Sequence, residues 1–307
     1  MGSPLTSSQF VRLLDDRLSG VTEGTLKNLK PMRQEFFSMV SEERAWMEFF
    51  EIGDVPDIPT FNGKLSTLSV SPGFHTKIEP KEYAGQIIAE RKLIDDKRYA
   101  VLDNNAEGLA RAADRVKEKL AVSIFANAFS SAFDFMTREE GVALASDSHT
   151  TKSGTSTTNG FDNAGTSAMN KTSVAATRLL MRKFRNDISE RIEISDNLAL
   201  VVPDALADAA EEIVGTIKGL DTAEHNMNPQ FGRYKVIPWM RLDDTDANNW
   251  FMVDVDRMKK SLIWWDRVQT EAKNTVDWDT YALKQAVYFR AAAGFKDWRW
   301  VFAHNVT

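Results

Sequence analysis

Residues 105–136 read NAEGLARAADRVKEKLAVSIFANAFSSAFDFM, and their spacing sets how the rest of the chain is organised. Leu109, Ala112, Ala113, Val116, Leu120, Ile124, Ala128, Phe129, Ala132 and Phe133 recur in the three-and-four stepping of one helix face. Arg111, Asp114, Arg115, Lys117, Glu118 and Lys119 occupy the other face of the first half. The spacing predicts a long amphipathic helix that reaches roughly 40 Å at 1.5 Å per residue. Its second half turns apolar nearly all round, as suits a strut between two parts of a fold.

Upstream of the strut, Gly53, Pro56, Pro59, Gly63, Pro72, Gly73 and Pro80 break residues 53–80 into short extended pieces such as Lys64 to Val70. No helix survives that punctuation, whereas a long two-stranded excursion does. Residues 1–52 read as helical. Thr6, Ser7 or Ser8 caps a segment bearing Phe10, Leu13, Leu14 and Leu18, and Gly20 stops it. A second segment, Met32 to Phe50, carries Phe36, Phe37, Met39, Val40, Trp46, Met47, Phe49 and Phe50 around Glu42, Glu43 and Arg44. That is a heavy apolar load for a short helix, and it reads as an arm that packs on something else.

Downstream, residues 146–173 (SDSHTTKSGTSTTNGFDNAGTSAMNKTS) are so rich in Ser, Thr, Gly and Asn that they predict a long surface loop with no core of its own. A helix is expected from Ser173 to Asn186. A strand follows at Leu198 to Val202, and Pro203 and Asp204 then open a helix over Ala205 to Val214. Tyr234 to Trp239, Trp250 to Val255 and Leu262 to Trp265 read as short buried strands. Tyr281 to Ala293 and Trp298 to Phe302 read as two strands around a turn at Gly294. Seven of the eight Trp lie between Trp239 and Trp300, which predicts a second, aromatic-heavy core in the C-terminal third. The pattern is α+β, with no internal repeat.

At 307 residues the chain is long enough for about two compact units, at roughly 150 residues each. Having no Cys, it excludes disulfides, thiolate zinc sites, iron–sulfur clusters and a Cys nucleophile. With 18 Phe and 8 Trp it cannot be a disordered chain. The net charge of -6 has the wrong sign for gripping nucleic acid with the whole surface. No apolar run approaches the roughly 18 residues that span a bilayer, and MGSPLTSSQF lacks the regions of a signal peptide, so a cytosolic product is expected.

The search for chemistry yields no catalytic, cofactor or metal residues. His75, His149, His225 and His304 are scattered, with no metal-ligand spacing. Asp147, Ser148 and His149 are triad-type residues side by side, yet a triad draws its members from separate elements around a rigid oxyanion site. Asp244, Asp246 and Asn248 alternate as in a calcium loop, but Asn249 stands at the turn position and Val255 at the closing carboxylate position, so a solvated turn fits better. Trp264 and Trp265, next to Arg267, suit core packing better than a base-stacking platform, because adjacent strand residues face opposite ways. A chain this long without a site, but with an aromatic arm, a Gly/Pro-punctuated extension and a long polar loop, points to assembly.

The ordered set DDKRYAVLDNNAEGLARAADRVKEKLAVSIFANAF, GVALASDSH, NLALVVPDALADAAEEI, TAEHNMNP, YKVIPWMRLDDTDANNWFMV and YFRAAAGFKDWRWVFAHN resembles a tailed-bacteriophage major capsid protein of the Hong Kong 97-like fold. GVALASDSH stands where that family often carries a DG-x-x-L-x-S-x-x-H element. The resemblance implies an N-terminal arm (1–52), an extended loop (53–100) and a peripheral domain (101–187) holding the spine helix and the Ser/Thr-rich loop. It further implies an axial domain (188–280) and C-terminal strands returning to the peripheral domain (281–307). The loop would lie over a neighbouring subunit, with Gly53, Gly63 and Gly73 as joints, and the arm would reach under one.

On that resemblance the candidate inter-subunit residues are Phe36, Phe37, Trp46, Phe49, Phe50, Phe61, Lys64 and Phe74. The implied function is a non-enzymatic head subunit that assembles with itself, through hexamers and pentamers, into an icosahedral virion shell around double-stranded DNA. Portal and scaffold proteins are the implied partners, with no cofactor and no membrane. The short stretch before the loop implies a separate scaffold or prior processing. Lys64, Lys77 and Lys81 lie in the loop, but no motif pairs them for a covalent cross-link. An encapsulin-like nanocompartment shell and a soluble hydrolase using Ser148 and His149 or the Asp244 cluster stay open as alternatives.

Overall fold

The computed structural model describes residues 7–133, 136–217 and 227–307; His225, Phe135 and the side chains of Phe10, Leu13 and Leu14 lie outside what it describes. Helix α1 (Ser7–Asn28) runs on through Gly20, where the sequence reads a stop. One glycine costs a helix only about 1 kcal/mol, and burial of Leu18 against Ala89, Leu102, Ala106 and Leu283 offsets it. The expected helix from Met32 to Phe50 is a single turn, α2 (Arg33–Phe36), followed by strands β1 (Ser38–Val40) and β2 (Met47–Ile52). Strands β3 (Pro72–Ile78) and β4 (Lys81–Ala89), the short α3 (Arg91–Asp95) and the long α4 (Tyr99–Ala126) come next.

Helix α4 is the predicted strut with shifted ends. It begins at Tyr99, just after Lys97 adopts a left-handed φ of 55°. Its 28 residues span about 42 Å. It stops at Ala126, where the N–H groups of Asn127 and Ala128 turn back to Ser123 and Phe125. Phe129 and Phe133 therefore pack on the core from irregular backbone, not from the helix. The polar face is also corrected in part: Lys117 and Glu118 are buried. Lys117 Nζ reaches Asp266 at 2.8 Å and Glu118 accepts from Arg33 Nη1 at 2.7 Å, so each charge goes inside with a partner.

The remaining elements are β5 (Met136–Arg138), β6 (Ala164–Gly165), α5 (Lys171–Met181), β7 (Leu198–Val202), α6 (Ala207–Gly215), β8 (Lys235–Pro238), β9 (Trp250–Asp254), α7 (Val255–Ser261), β10 (Leu262–Val276), β11 (Leu283–Phe295) and β12 (Val301–His304). Helix α5 starts earlier than Ser173 because Asn170 caps it, its side chain and that of Ser173 exchanging hydrogen bonds with each other's backbone N–H. Strand β10 runs far beyond Trp265. Its outer half alternates half-buried and exposed positions and carries Glu271 and Lys273, so it holds no apolar run for the eye to find.

Three sheets organise the chain. The first has the order β1-β10-β11-β4, with the β10/β11 antiparallel pair extending from Leu262↔Phe295 to Val276↔Leu283. Helix α4 lies along it. The second has the order β6-β12-β9-β7-β8, and its three inner strands β12, β9 and β7 are buried at every position. The third, β2-β3-β5, carries the extended segment. Strands β11 and β12, expected to flank one turn, lie in different sheets, and the turn between them ties the two together.

Trp264 and Trp265 point to opposite faces of β10 and are both fully buried, so the sheet is covered on both sides there. Trp264 meets Phe37 edge-on at 6.1 Å, and the Trp265 indole donates to Glu42 O at 2.9 Å. Trp278 departs from the expected aromatic core: it stands 87% exposed in the β10–β11 connection. The Ser/Thr-rich loop is corrected too. His149, Phe161 and Asn163 from it are buried, because Asn163 donates to Leu144 O at 2.9 Å and Val301 O at 3.2 Å while accepting from Ser146 N–H at 2.8 Å.

Candidate inter-subunit surface

Between β2 and β3 the chain leaves the body. The two strands pair from Met47↔Ile78 to Ile52↔Pro72, and the Gly53 N–H closes the root on Ser71 O at 3.1 Å. A Cβ on Gly53 would come within 2.3 Å of Ser71 O, and one on Gly73 within 2.5 Å of Glu51 Cβ. These two glycines thus bring backbones together at a tight root. Gly63, with φ +95° and open space around it, is the one that turns the tip.

Residues 54–71 form neither helix nor strand. Their apolar side chains point to solvent: Ile58, Phe61 and Leu65 are 87%, 74% and 86% exposed. Pro56 and Pro59 fix φ on either side of Asp57–Ile58 and hold the stretch extended. Three large apolar side chains left exposed along one short segment mark an interaction surface.

The root is fixed from below by a buried cluster of acids and arginines. Glu51 Oε1 lies 3.4 Å from Arg138 Nη2 and 3.9 Å from Arg299 Nη1. Arg299 also reaches Asp297 at 2.8 Å and Asp187 at 2.7 Å, and donates to Arg185 O. Burial, with Asp297 adding to it, pushes the Glu51 carboxyl up to about 8. Asp297 moves the other way: burial opposes its charge, but Arg299 and Arg138 hold it below the usual carboxylate range. Arg138 pairs with Glu140 at 2.7 Å. Burial works against Glu140 as well, yet the hydrogen bond from His149 and the Arg138 cation keep its pKa low. On the outer side Glu139 binds Lys152 at 2.7 Å and His75 at 2.8 Å, and the Lys152 hydrogen bond leads in lowering its pKa to about 2.

The eight candidate residues divide. Phe36 stacks on Trp239 at 4.6 Å and Phe37 packs on Trp264, so both are spent inside this chain's own core. Their adjacency to Trp46 and Phe50 in the sequence hides a change of direction at β1. Phe49 and Phe74 are half-buried, Phe49 beneath Lys296 Nζ at 4.6 Å. Trp46, Phe50, Phe61 and Lys64 are exposed, with Phe50 leaning on His75 and Lys77 Nζ over the Trp46 ring. The sequence reading passed over Ile58 and Leu65 because no period connects them. Their position among Pro56, Pro59 and Gly63 was the usable signal.

The residues weighed for chemistry do other work. The His149 ring stacks on Trp298 at 4.1 Å, with Nδ1 at Glu140 and Nε2 between Asn163 Oδ1 and Leu144 O. Ser148 Oγ bonds Ser146 Oγ. Serine and imidazole thus have separate partners. Asp246 accepts from the Asn248 N–H at 2.9 Å, as a turn does. Among the described residues no three of His, Asp and Glu gather as a metal ion requires, and no helix is long and apolar enough to cross a membrane.

No curated protein sequence matches the chain. Solved structures do. The mature capsid of bacteriophage PhiM1 superposes with a TM-score of 0.56 at 12% identity, covering 91% of this chain and 88% of that one. The capsid of cyanophage P-SCSP1u gives 0.56 at 9% identity over 91% and 88%. The capsid of the native GTA particle gives 0.53 at 12% identity over 91% of both chains. At such identities the likeness is one of fold, the Hong Kong 97-like capsid fold. A family model described as phage capsid protein matches residues 76–303, which disfavours the nanocompartment alternative. That match starts within β3 and takes in the strut, the strands that follow and the buried turn that joins the sheets, so the chain belongs to the phage capsid protein family and is a structural component of a virion.

Proposed function

We propose that this chain is the major head subunit of a tailed phage, assembling through hexamers and pentamers into an icosahedral shell that encloses double-stranded DNA. The observation that carries this reading is the segment 54–71, apolar at Ile58, Phe61 and Leu65 yet held away from the body on a root fixed by Gly53, Gly73 and the Glu51–Arg299 cluster. A neighbouring subunit supplies the cover. Burying that surface at ~25 cal/mol per Å² favours the shell over the free chain, and repeating the contact around a closed ring makes assembly cooperative.

The extended loop (53–100) serves this contact, with Trp46, Phe49, Phe50, Phe61, Lys64 and Phe74 along or beside it. The peripheral domain (101–187) and axial domain (188–280) form the rest of the subunit. Portal and scaffold proteins are partners in building the shell. The net charge of -6 suits a container whose wall does not adhere to phosphates. Electron microscopy and light scattering of the purified chain, alone and with a scaffold protein, test the reading. Closed particles or capsomers are expected; a persistent monomer at high concentration under both conditions overturns it.

A further inference from the structure

We propose that Asn62 is a site of spontaneous deamidation, and that the fold directs this reaction to it and away from the chain's other Asn–Gly pair. The two pairs are Asn62–Gly63 and Asn159–Gly160. In each, the glycine has no side chain to screen its backbone nitrogen from the carboxamide of the asparagine before it. By sequence the two are equally labile. The structure separates them. Asn62, Gly63 and Lys64 are all exposed, in a stretch without helix or strand. A Cβ on Gly63 would meet nothing within 4 Å. Among the described residues no hydrogen bond engages the Asn62 side chain or the Gly63 N–H. Gly160 is clamped instead. Its carbonyl accepts from the Arg185 N–H at 3.2 Å, and a Cβ on it would lie 2.1 Å from Lys183 O, in the chain just after α5. The next residue, Phe161, is fully buried and holds that backbone on the core.

Ring closure needs the glycine nitrogen to swing to within about 3–3.5 Å of the asparagine Cγ in an attacking geometry. The open backbone at Gly63 can make that turn, and the clamped backbone at Gly160 cannot. The Gly63 nitrogen gives its proton to solvent base and attacks Asn62 Cγ. The Cγ–Nδ2 bond breaks, and ammonia leaves with a proton taken from water. The five-membered succinimide so formed then adds water at one of its two carbonyls, a C–N bond opens, the nitrogen regains a proton and a carboxylate remains. Opening at the side-chain carbonyl gives Asp. Opening at the main-chain carbonyl gives isoaspartate, whose backbone runs through Cβ and Cγ and is one carbon longer. Water is the only co-reactant. Either branch puts a new negative charge between Phe61 and Lys64. On the shell reading this surface serves assembly, so chains that wait unassembled become chemically distinct from fresh ones.

Peptide mapping by mass spectrometry of the full, unassembled chain held in mildly alkaline buffer reads both sites at once. Asn62 should convert at least about tenfold faster than Asn159, with isoaspartate and free ammonia appearing in step. In denaturant the two rates should converge. Equal rates in the folded chain, or a difference that persists unchanged in the unfolded one, overturn the proposal. Asn62→Gln should stop the reaction at the tip, because the longer side chain closes a less favourable six-membered ring; undiminished isoaspartate and ammonia from that variant also overturn it. Asn62→Asp, the product made in advance, tests the link to assembly separately. Its particle yield should fall below that of Asn62→Gln, and equal yields overturn the link while leaving the site. Failure of the unmodified chain to form particles overturns the shell reading alone.

Discussion

His304 sits between the rings of Trp250, at 4.2 Å, and Phe302, at 5.2 Å. Its Nδ1 accepts from the Ser167 N–H, and its Nε2 donates to Thr177 Oγ1, whose own proton goes to Ser173 O. The site is built for the neutral ring, and burial pushes its pKa down from 6.5 to about 4. The unfolded chain therefore takes up a proton that the folded one refuses, and this contribution to stability, full above pH 6.5, is lost as pH falls towards 4. Melting temperatures across that window should fall with acid, less steeply in His304→Gln; equal slopes would refute the assignment. Glu51 has the opposite sign. Because its carboxyl is raised from 4.5 to about 8, the folded chain holds the extra proton, and stability falls as pH rises through that window. Glu51→Gln should melt with less dependence on pH between those limits, and an unchanged slope would count against it. Gly160 makes a third, purely steric case. With φ +77° and a hypothetical Cβ 2.1 Å from Lys183 O, Gly160→Ala should cost about 1–3 kcal/mol in denaturant unfolding.

Elements were legible in the sequence where one physical signal acted alone. Strand β7 coincides with the run Leu198 to Val202, because an all-apolar stretch ended by Pro203 has one reading. The strut was visible from its Leu109-to-Ile124 stepping, but its ends were not: Tyr99 and Ala126 are set by a left-handed Lys97 and by backbone that turns back at Asn127, neither of which has a hydropathy signature. Lys117 and Glu118 were read as solvated because their partners, Asp266 and Arg33, lie far away in the chain. Those pairs join α4 to β10 and to α2. Removing one partner, as in Lys117→Met, should cost about 3–5 kcal/mol, whereas Lys117→Met with Asp266→Leu should recover most of it. Chemical denaturation of the single and double variants gives the coupling, and additive losses would show that the pair contributes nothing specific.

For the molecule as a unit, the order of motifs carried more information than any one of them, and the fold could be read from that order. The surface was only half legible. Phe36, Phe37 and Phe61 look alike in a sequence, yet two fill the core and one faces solvent, a distinction made by tertiary packing that periodicity does not encode. Replacing Ile58 and Leu65 by Ser should therefore leave the isolated subunit's stability within about 0.5 kcal/mol. The same change should raise the concentration needed for assembly at least tenfold, since each buried aliphatic side chain contributes about 1.5–3 kcal/mol. Unfolding curves paired with light scattering separate the two effects. An equal loss in both would place these residues in the core after all.

One cluster of buried residues runs from Phe36 to Ala303 and closes without help from any neighbour. A subunit so completed can join a lattice, find itself misplaced and let go with its interior untouched. On the shell reading proposed above, growth then proceeds by trial and release, and faults in the curvature anneal before the container seals.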